Sequence, residues 1–453
     1  MKSTKQKFSS FFSNFSRENI GAIKKIPASL TRIDKIAIAF FIGLICFSIG
    51  MFWLESWLKT TQKNPTYGGT YTEGFIGEPK DLEKHLLRLT NVGLTKFNEN
   101  NEIVGDLAES WEIKDDGKTY IFKLREGYFA QDLINEINSK KIWSNIETSV
   151  ADERNIQFQF KQPFSPFLYI ATEPLFPYGP YKLIKEEKNQ VVLANQENYY
   201  QGKPFIERIV FNLYEDNAAL NKAIKAKNID GFLANDGLVS LDKSRKLQFI
   251  LPRELVLFFN LQKEDLKNKE LRQNLRENKE LSKDYNFVLV TSDNQKNTAL
   301  ADNIKLRWAP LKVNLEIKKY DKITLQKDII PKREYDILLY GLDYGPDPDP
   351  YPFWHSSQIK PDGANLSNFS NKNADKLLED ARQSFDNNTR ETKYTEFKKI
   401  LDNEVPFITL SKEEENFILS YKVKGVDDIY GYTETDRYLN VNKWYIKNKR
   451  EKK

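Results

Sequence analysis

Thiol and imidazole groups are scarce in this chain of 453 residues, which contains one cysteine and two histidines. With Cys46 as the only thiol, a disulfide framework is excluded, and neither a cysteine zinc cluster nor a Cys/His nucleophile is available. His85 and His355 are too few for a histidine-rich metal centre. We therefore expect no metal site and no cofactor.

A net excess of positive charge is confined to the N-terminal tail. Residues 1–35 contain eight basic and two acidic residues, a net charge of +6, whereas the other residues together carry −1. A nucleic-acid-binding protein would be expected to have a basic surface on its folded part. The charge distribution therefore predicts that nucleic acid is not a partner.

One long apolar run is present, because residues 36–54 form a stretch of 19 residues without a charge. As a helix this stretch is about 28 Å long, close to the hydrocarbon thickness of a bilayer. Trp53 and Trp57 lie where interfacial aromatic anchors are expected. The basic tail before the run predicts a cytoplasmic N-terminus, with everything after about residue 55 outside the cytoplasm, in a periplasm or on the cell surface.

A cleaved signal peptide is the competing interpretation of this run. Its charged region would be 35 residues long, and no small-x-small cleavage site follows. Cys46 does not support a lipoprotein, since Ile45 occupies the position where a lipobox has a small residue. An uncleaved single-pass anchor is the favoured prediction.

The remainder of the sequence has the composition of a large globular protein. Hydrophobic residues make up 40% and charged residues 29% of the chain, and the length allows two or three compact units at roughly 100–200 residues each. A polar linker is predicted at 60–65, and short strands are predicted near Phe407 and Tyr438. The hydrophobic periodicity predicts further strands at 70–77, 119–124, 156–160, 191–194, 206–213, 255–261, 287–291, 313–317 and 335–341 and helices at 217–227, 297–308, 374–385 and 390–401. The alternation after residue 285 is βαβ-like and favours an α/β fold.

Several stretches of the chain carry a family resemblance, and the most specific one is VGLTKFNENNEIVGDLAESWEIKDDGKTYIFKLREG at 92–127. The other such stretches are GGTYTEGFIGEPKDL (68–82), GPYKL (179–183), 198–230, 257–275, YDILLYGLDYGPDPDPYPFWHSSQ (335–358), 365–382 and KVKGV (422–426). Taken in order, they resemble the bacterial extracellular solute-binding proteins of family 5, the oligopeptide- and dipeptide-binding proteins of ABC importers.

This resemblance implies a two-lobed α/β fold of the type II periplasmic-binding-protein kind, in which ligand is trapped by closure of a hinge. The segment 128–178 is short for the family and lacks its Trp-His-Asp-Gly-like turn, so we expect a reduced inserted subdomain and a more open cleft. The predicted organisation is a cytoplasmic tail (1–35), a transmembrane helix (36–54), a linker (55–65), lobe I (66–258, with the inserted subdomain near 95–178), lobe II (259–420) and a return to lobe I (421–453).

The resemblance also suggests candidate ligand-binding residues around one buried strand. Asp343 matches the family acid that pairs with a peptide α-ammonium, although an aspartate there could equally cap a turn. Gly341 would let a ligand backbone approach closely, and Tyr344 flanks the acid on its other side. Asp347 lies in a proline-rich loop that would preorganise it, with loop structure or a calcium loop as alternatives.

Two further candidates lie downstream of that loop. Trp354 is a candidate pocket wall, with aromatic core packing as the alternative, and Asn365 matches a family asparagine expected to shape the cleft. We interpret His355 as a structural histidine. The sequence shows no nearby order of serine and acid that would make a triad with it persuasive, despite Ser356 and Ser357.

The resemblance thus predicts a membrane-anchored substrate-binding component of an ABC importer that captures oligopeptides and delivers them to a permease and its ATPase. It predicts no enzymatic activity. Two alternatives remain open: a degenerate membrane-anchored sensor or scaffold, and a binding protein for a non-peptide solute. A surface hydrolase is a third, although no activated nucleophile is visible.

Overall fold

The computed structural model describes residues 31–140, 143–235, 237–345, 347, 349–426 and 431–452. The predicted cytoplasmic tail, residues 1–35, therefore lies almost entirely outside the described residues. Residues up to 66 and from 448 onward form a small unit, and residues 67–447 form a large one.

The small unit is built on helix α1 (Arg32–Thr60), which contains the predicted apolar run. It is the one helix among the described residues that is long and apolar enough to cross a membrane. A capping box between Thr31 and Asp34 starts the helix before the apolar residues begin. The helix therefore extends beyond both ends of the predicted span.

The predicted linker at 55–65 is wrong, because residues 55–60 continue helix α1 and the next residues form a strand. This strand, Thr61–Thr66, pairs with the C-terminal strand Lys447–Lys452. The Arg450 guanidinium donates a hydrogen bond of 2.7 Å to Thr61 Oγ1 and lies 4.8 Å from the ring centre of Trp57. A partner almost four hundred residues away in sequence thus orders a polar segment that has no apolar pattern of its own.

Eighteen strands are described. They are β1 (Thr61–Thr66), β2 (Thr70–Ile76), β3 (Thr95–Phe97), β4 (Ile103–Gly105), β5 (Ala108–Lys114), β6 (Thr119–Leu124), β7 (Glu147–Val150), β8 (Asn155–Gln159), β9 (Tyr181–Glu187), β10 (Gln190–Asn195), β11 (Arg208–Tyr214), β12 (Gly231–Leu233), β13 (Ser244–Phe259), β14 (Tyr285–Ser292), β15 (Val313–Tyr320), β16 (Ile337–Asp343), β17 (Phe407–Ser420) and β18 (Lys447–Lys452).

Within the described residues, the helices of eight residues or more are α1 and seven others: α2 (Glu83–Thr90), α3 (Ala130–Lys140), α4 (Asn217–Lys225), α5 (Lys269–Glu277), α6 (Gln295–Trp308), α7 (Lys372–Gln383) and α8 (Asn387–Glu404). Asp216 caps α4 as its sequence pattern predicts, by accepting a hydrogen bond from the backbone N–H of Ala219. Shorter helical turns include Tyr351–Trp354 and Glu434–Tyr438. The strand predicted near Tyr438 is wrong, because a capping box between Thr433 and Asp436 starts a 3-10 turn there instead.

A mixed sheet of ten strands runs through the large unit in the order β15-β14-β16-β13-β17-β12-β2-β11-β10-β9. One end packs into a core around β2 and β11, which we call lobe I; the other end packs into two cores, one on each face of β13 and β16, which we call lobe II. Strands β13 and β17 are unusually long and belong to both lobes. The predicted strand at 255–261 is therefore only the lobe II half of β13.

A separate four-stranded sheet in the order β5-β6-β8-β7 forms a third layer with helix α3. Its core is strongly aromatic: Tyr120, Phe122, Phe158 and Phe167 are all fully buried. This layer occupies the position of the predicted inserted subdomain, and we use that name for it below.

Candidate functional site

The two long strands run from one lobe into the other, and we call the point where they cross the hinge. In β13, Phe249 and Leu251 pack into the lobe I core, whereas Leu255 and Leu257 pack into lobe II. The regular pairing of β13 with β17 is interrupted between Ile250 and Glu254. Pro252 lies in this irregularity, where a residue without a backbone N–H donor disturbs no ladder hydrogen bond. The crossing point is thus locally irregular, a place where a change in lobe orientation can be absorbed.

A cavity of about 240 Å³ opens at this crossing, and we call it the hinge pocket. Its walls combine hinge residues with side chains from both lobes. The lining residues are Asn101, Ile250, Leu251, Pro252, Arg253, Glu254, Tyr344, Lys412, Gly431 and Tyr432. The hinge pocket therefore lies where a change in lobe orientation would alter its shape.

Asp343, the predicted partner of a ligand ammonium, lies at the end of β16 beside this pocket and is paired with Arg253. The two residues are directly opposite each other in the β13–β16 register. Arg253 Nε and Nη2 both lie 3.1 Å from Asp343 Oδ2, and the backbone N–H of Gly345 donates to Oδ1 at 3.0 Å. Both carboxylate oxygens therefore already accept hydrogen bonds from the protein.

The ion pair continues into a small network. Arg253 Nη1 lies 3.3 Å from Glu413 Oε2, and Lys296 Nζ lies 3.6 Å from the other oxygen of Glu413. Partial burial disfavours the charged guanidinium, but the carboxylates of Asp343 and Glu413 outweigh that effect and raise the pKa of Arg253. Two cations and two anions thus balance one another without a ligand.

Gly341 and Tyr344, on either side of Asp343, line different cavities. Gly341 is exposed and has no atom within 4 Å of the position where a Cβ would lie. It borders a cavity of about 430 Å³ in lobe II, together with Tyr340, Phe353 and Leu366. Tyr344 lines the hinge pocket and packs edge-on against Phe353, at 5.4 Å between ring centres.

Asp347 is removed from the hinge pocket lining and is paired with an arginine. It lies 2.7 Å from Arg390 Nη2, and the neighbouring Asp349 lies 2.6 Å from Arg382 Nε. Burial raises the pKa of Asp347 to about 6, and Arg390 offsets only part of that effect. With an arginine on each carboxylate, this loop has the contacts of a structural ion-pair cluster.

Trp354 and Asn365 both lie in the interior of lobe II. Trp354 has no exposed surface and packs against Phe407 at 4.8 Å between ring centres. The Asn365 amide is also fully buried; it donates to the carbonyl of Phe369 at 2.8 Å and accepts from the N–H of the same residue at 3.0 Å. These two side chains hold the loop together beneath the site.

His355 also has a structural role, in the turn after Trp354. Its Nδ1 accepts a hydrogen bond from the backbone N–H of Ser357 at 3.1 Å, and its ring stacks on Tyr351 at 4.1 Å. Ser356, the serine considered beside it, instead donates its hydroxyl to Asp375 at 2.6 Å. The histidine thus caps the turn. Its Nδ1 also lies 2.8 Å from Ser357 Oγ and its Nε2 lies 3.2 Å from Glu379 Oε1, whereas Ser356 is bonded elsewhere.

Lobe II touches the inserted subdomain through the segment around helix α7. The backbone N–H of Ser165 donates to the Arg382 carbonyl at 2.9 Å. The Phe385 ring lies 6.2 Å from that of Tyr120 and covers Gly117, leaving no room there for a Cβ. These contacts join lobe II to the inserted subdomain.

Arg253, Lys412 and Tyr432 are site residues that sequence reasoning missed. Arg253 belongs to a stretch of β13 that has no alternating pattern, and Lys412 is one of many lysines in the chain. Among the described residues, no carboxylate lies within 4 Å of the Lys412 ammonium. The adjacent Pro252 is the one local signal that could have marked an irregular strand.

Comparison with known proteins identifies similar solute-binding and peptide-binding proteins. The family model for bacterial extracellular solute-binding proteins, family 5 (middle), matches residues 130–276. The probable D,D-dipeptide-binding periplasmic protein DdpA of Escherichia coli is 22% identical over 72% of this chain and 82% of its own length. The oligopeptide-binding protein AppA of Bacillus subtilis is 20% identical over 75% of this chain and 73% of its own length.

The fold is that of the solved members. The structure of Bacillus subtilis AppA in complex with a nonapeptide superposes with a TM-score of 0.66 at 17% identity, covering 85% of this chain and all of that one. The predicted two-lobed periplasmic-binding-protein fold is thereby confirmed. The chain is similar to the bacterial extracellular solute-binding proteins of family 5, both in the segment that the family model matches and in its fold.

Proposed function

We propose that this protein is the membrane-anchored substrate-binding component of an ABC importer and that it captures peptides in the hinge pocket. The observation that carries the proposal is the pair of long strands, β13 and β17, which contribute to both lobes and become irregular beside a cavity with walls from each. A ligand contacting both lobes would favour the arrangement in which they are close, a population shift that a permease can recognise.

The ligand class is supported by the relatives. DdpA and AppA are described as dipeptide- and oligopeptide-binding proteins, and the solved AppA holds a nonapeptide. The hinge pocket offers apolar, aromatic and charged groups in a small volume, which suits one end of a peptide better than a whole one. We therefore assign the pocket to a terminal segment of an extended peptide, with the remainder lying along the cleft between the lobes.

Helix α1 would hold the protein at the membrane with its N-terminus in the cytoplasm and the lobes outside. Its length and hydropathy suffice for one span, and the tail that precedes it is strongly basic. His355 caps a turn, and Asp343, Asp347 and Asp349 are ion-paired with arginines, so we assign binding without catalysis. Delivery would then be to an ABC permease with its ATPase.

Native mass spectrometry of the full chain, purified in detergent, tests the proposal. We expect adducts of peptide mass carried over from expression, and renewed adducts after the protein is stripped by mild denaturation, refolded and exposed to a mixed peptide pool. A protein that stays bare through both steps, while its circular dichroism shows a folded state, would contradict peptide binding and favour the sensor or scaffold alternative.

A second experiment addresses delivery. In membranes of the producing cell, chemical crosslinking of the protein should recover an ABC permease subunit, and addition of peptide should increase the yield. Recovery of other membrane proteins only would favour a scaffold.

A further inference from the structure

The charges around the hinge pocket determine whether a charged or a neutral peptide terminus binds there. This inference rests on the proposed function. An ammonium leaving water for a closed cleft needs a carboxylate with free acceptor positions. Asp343 has little left to offer, because Arg253 occupies one oxygen with two nitrogens at 3.1 Å and Gly345 N–H occupies the other.

We propose that Arg253 is the resident cation of the hinge pocket and that the pocket receives the uncharged end of a peptide, an acylated or internal amide nitrogen, in preference to a free α-ammonium. Arg253 thus acts as a specificity-determining residue. Its guanidinium takes the position on Asp343 that a ligand ammonium would need.

The other charges near the pocket support this assignment. Glu413 shares Arg253 and is also approached by Lys296 at 3.6 Å, so it has no unbalanced charge to offer. Glu254, the acid in the pocket wall, accepts a hydrogen bond from Thr409 Oγ1 at 2.9 Å. Lys412 adds a second positive charge to the lining.

A ligand ammonium would therefore enter beside two cations and find Asp343, Glu413 and Glu254 already bonded. A neutral amide brings no charge and loses less hydration on entry, and its carbonyl oxygen can accept a hydrogen bond from the guanidinium. The pair of Arg253 and Asp343 is only half-buried, with side-chain exposures of 37% and 47%, so both groups remain within reach of a ligand.

The test compares two synthetic pools of tri- to hexapeptides with identical sequences, one with free amino termini and one N-acetylated. Competition between the pools on the stripped full chain is read out by native mass spectrometry. We expect the wild-type protein to favour the acetylated pool by at least fivefold.

The variant Arg253→Met should reverse this order, because Asp343 then becomes an unpaired carboxylate able to bind an ammonium. The matched control is Arg208→Met, which removes an exposed arginine on β11 outside the pocket lining and should retain the wild-type order. The double variant R253M/D343N removes both charges, so the two pools should bind within about twofold of each other. It also keeps the test decisive should R253M alone fail to fold.

The other outcomes would refute either the role of Arg253 or the proposed function. A wild-type preference for the free amino terminus, or an order that R253M and the double variant leave unchanged, would refute the role of Arg253 while leaving peptide binding intact. Loss of the free-amine preference in Glu254→Gln would then identify Glu254 as the ammonium partner. Binding of neither pool to any variant would refute the proposed function itself.

Discussion

A buried ion pair in lobe I provides the sharpest test of how this fold is stabilised. Glu73 on β2 and Arg437 in the turn Glu434–Tyr438 are both almost completely buried, and Arg437 Nη2 lies 2.5 Å from Glu73 Oε1. The Glu73 carboxylate also accepts hydrogen bonds from the hydroxyls of Tyr71, at 2.6 Å, and Tyr438, at 2.8 Å. Both tyrosine hydroxyls thus donate hydrogen bonds to the buried carboxylate of this ion pair.

Removing one member leaves the other charged and without its partner in the interior. A broken buried pair costs about 3–5 kcal/mol, so we expect Arg437→Met and Glu73→Gln each to lower the free energy of unfolding by about that amount. In the double variant no uncompensated charge remains. Its cost should therefore fall well below the sum of the single costs, giving a coupling energy of at least about 2 kcal/mol.

The assay is urea unfolding of the full chain in detergent, followed by near-UV circular dichroism, with a thermal melt as a second readout. As a control we propose Arg208→Met, which replaces an exposed arginine on β11 and should change stability by less than about 0.5 kcal/mol. Single variants that cost less than about 1 kcal/mol, or a double variant whose cost equals the sum, would refute the reasoning.

Three further predictions concern pH, lobe contact and the small unit. Burial and the nearby Arg437 lower the pKa of His85 from 6.5 to about 2. On acidification from pH 6 to pH 4 the unfolded chain therefore binds a proton that the folded protein does not, and the free energy of unfolding falls by about 1.4 kcal/mol per pH unit. His85→Gln should remove this slope when urea unfolding is measured at a series of pH values. Burial raises the pKa of Asp347 to about 6, so over the same pH range the folded protein binds a proton at Asp347 before the unfolded chain does, and this raises the free energy of unfolding on acidification. Asp347→Asn should therefore steepen the loss of stability as the pH falls. Unchanged slopes in both variants would contradict the two pKa assignments. Phe385→Ala removes the aromatic contact between lobe II and the inserted subdomain, which is worth about 1 kcal/mol, and should weaken peptide binding about fivefold in calorimetry. The control Phe129→Ala, at another exposed phenylalanine, should leave peptide affinity unchanged. Equal effects of the two substitutions on affinity would exclude a role for the contact. Arg450→Ala should speed tryptic cleavage in the strand Thr61–Thr66 without changing peptide affinity, and equal cleavage rates would show that the hydrogen bond to Thr61 does not order this strand.

Local interactions account for what could be predicted from the sequence. The apolar run at 36–54 needs no partner to be recognised as a span, because its hydrophobicity and length are properties of the segment itself. Helix α4 is similarly local, since its N-cap at Asp216 and its apolar face follow from residues within a few turns. Hydrophobic patterns located strands such as β6 and β8 to within one residue for the same reason.

The tertiary structure decided everything that depends on residues distant in sequence. The polar strand Thr61–Thr66 exists because the C-terminal strand pairs with it, and nothing in its own residues indicates a strand. The environment of Asp343 follows from the β13–β16 register, which places Arg253 opposite it. Register is set by the packing of whole faces into the two cores, so the sequence by itself determined that an acid stands at the end of this strand, and only the fold decided that its charge is already matched.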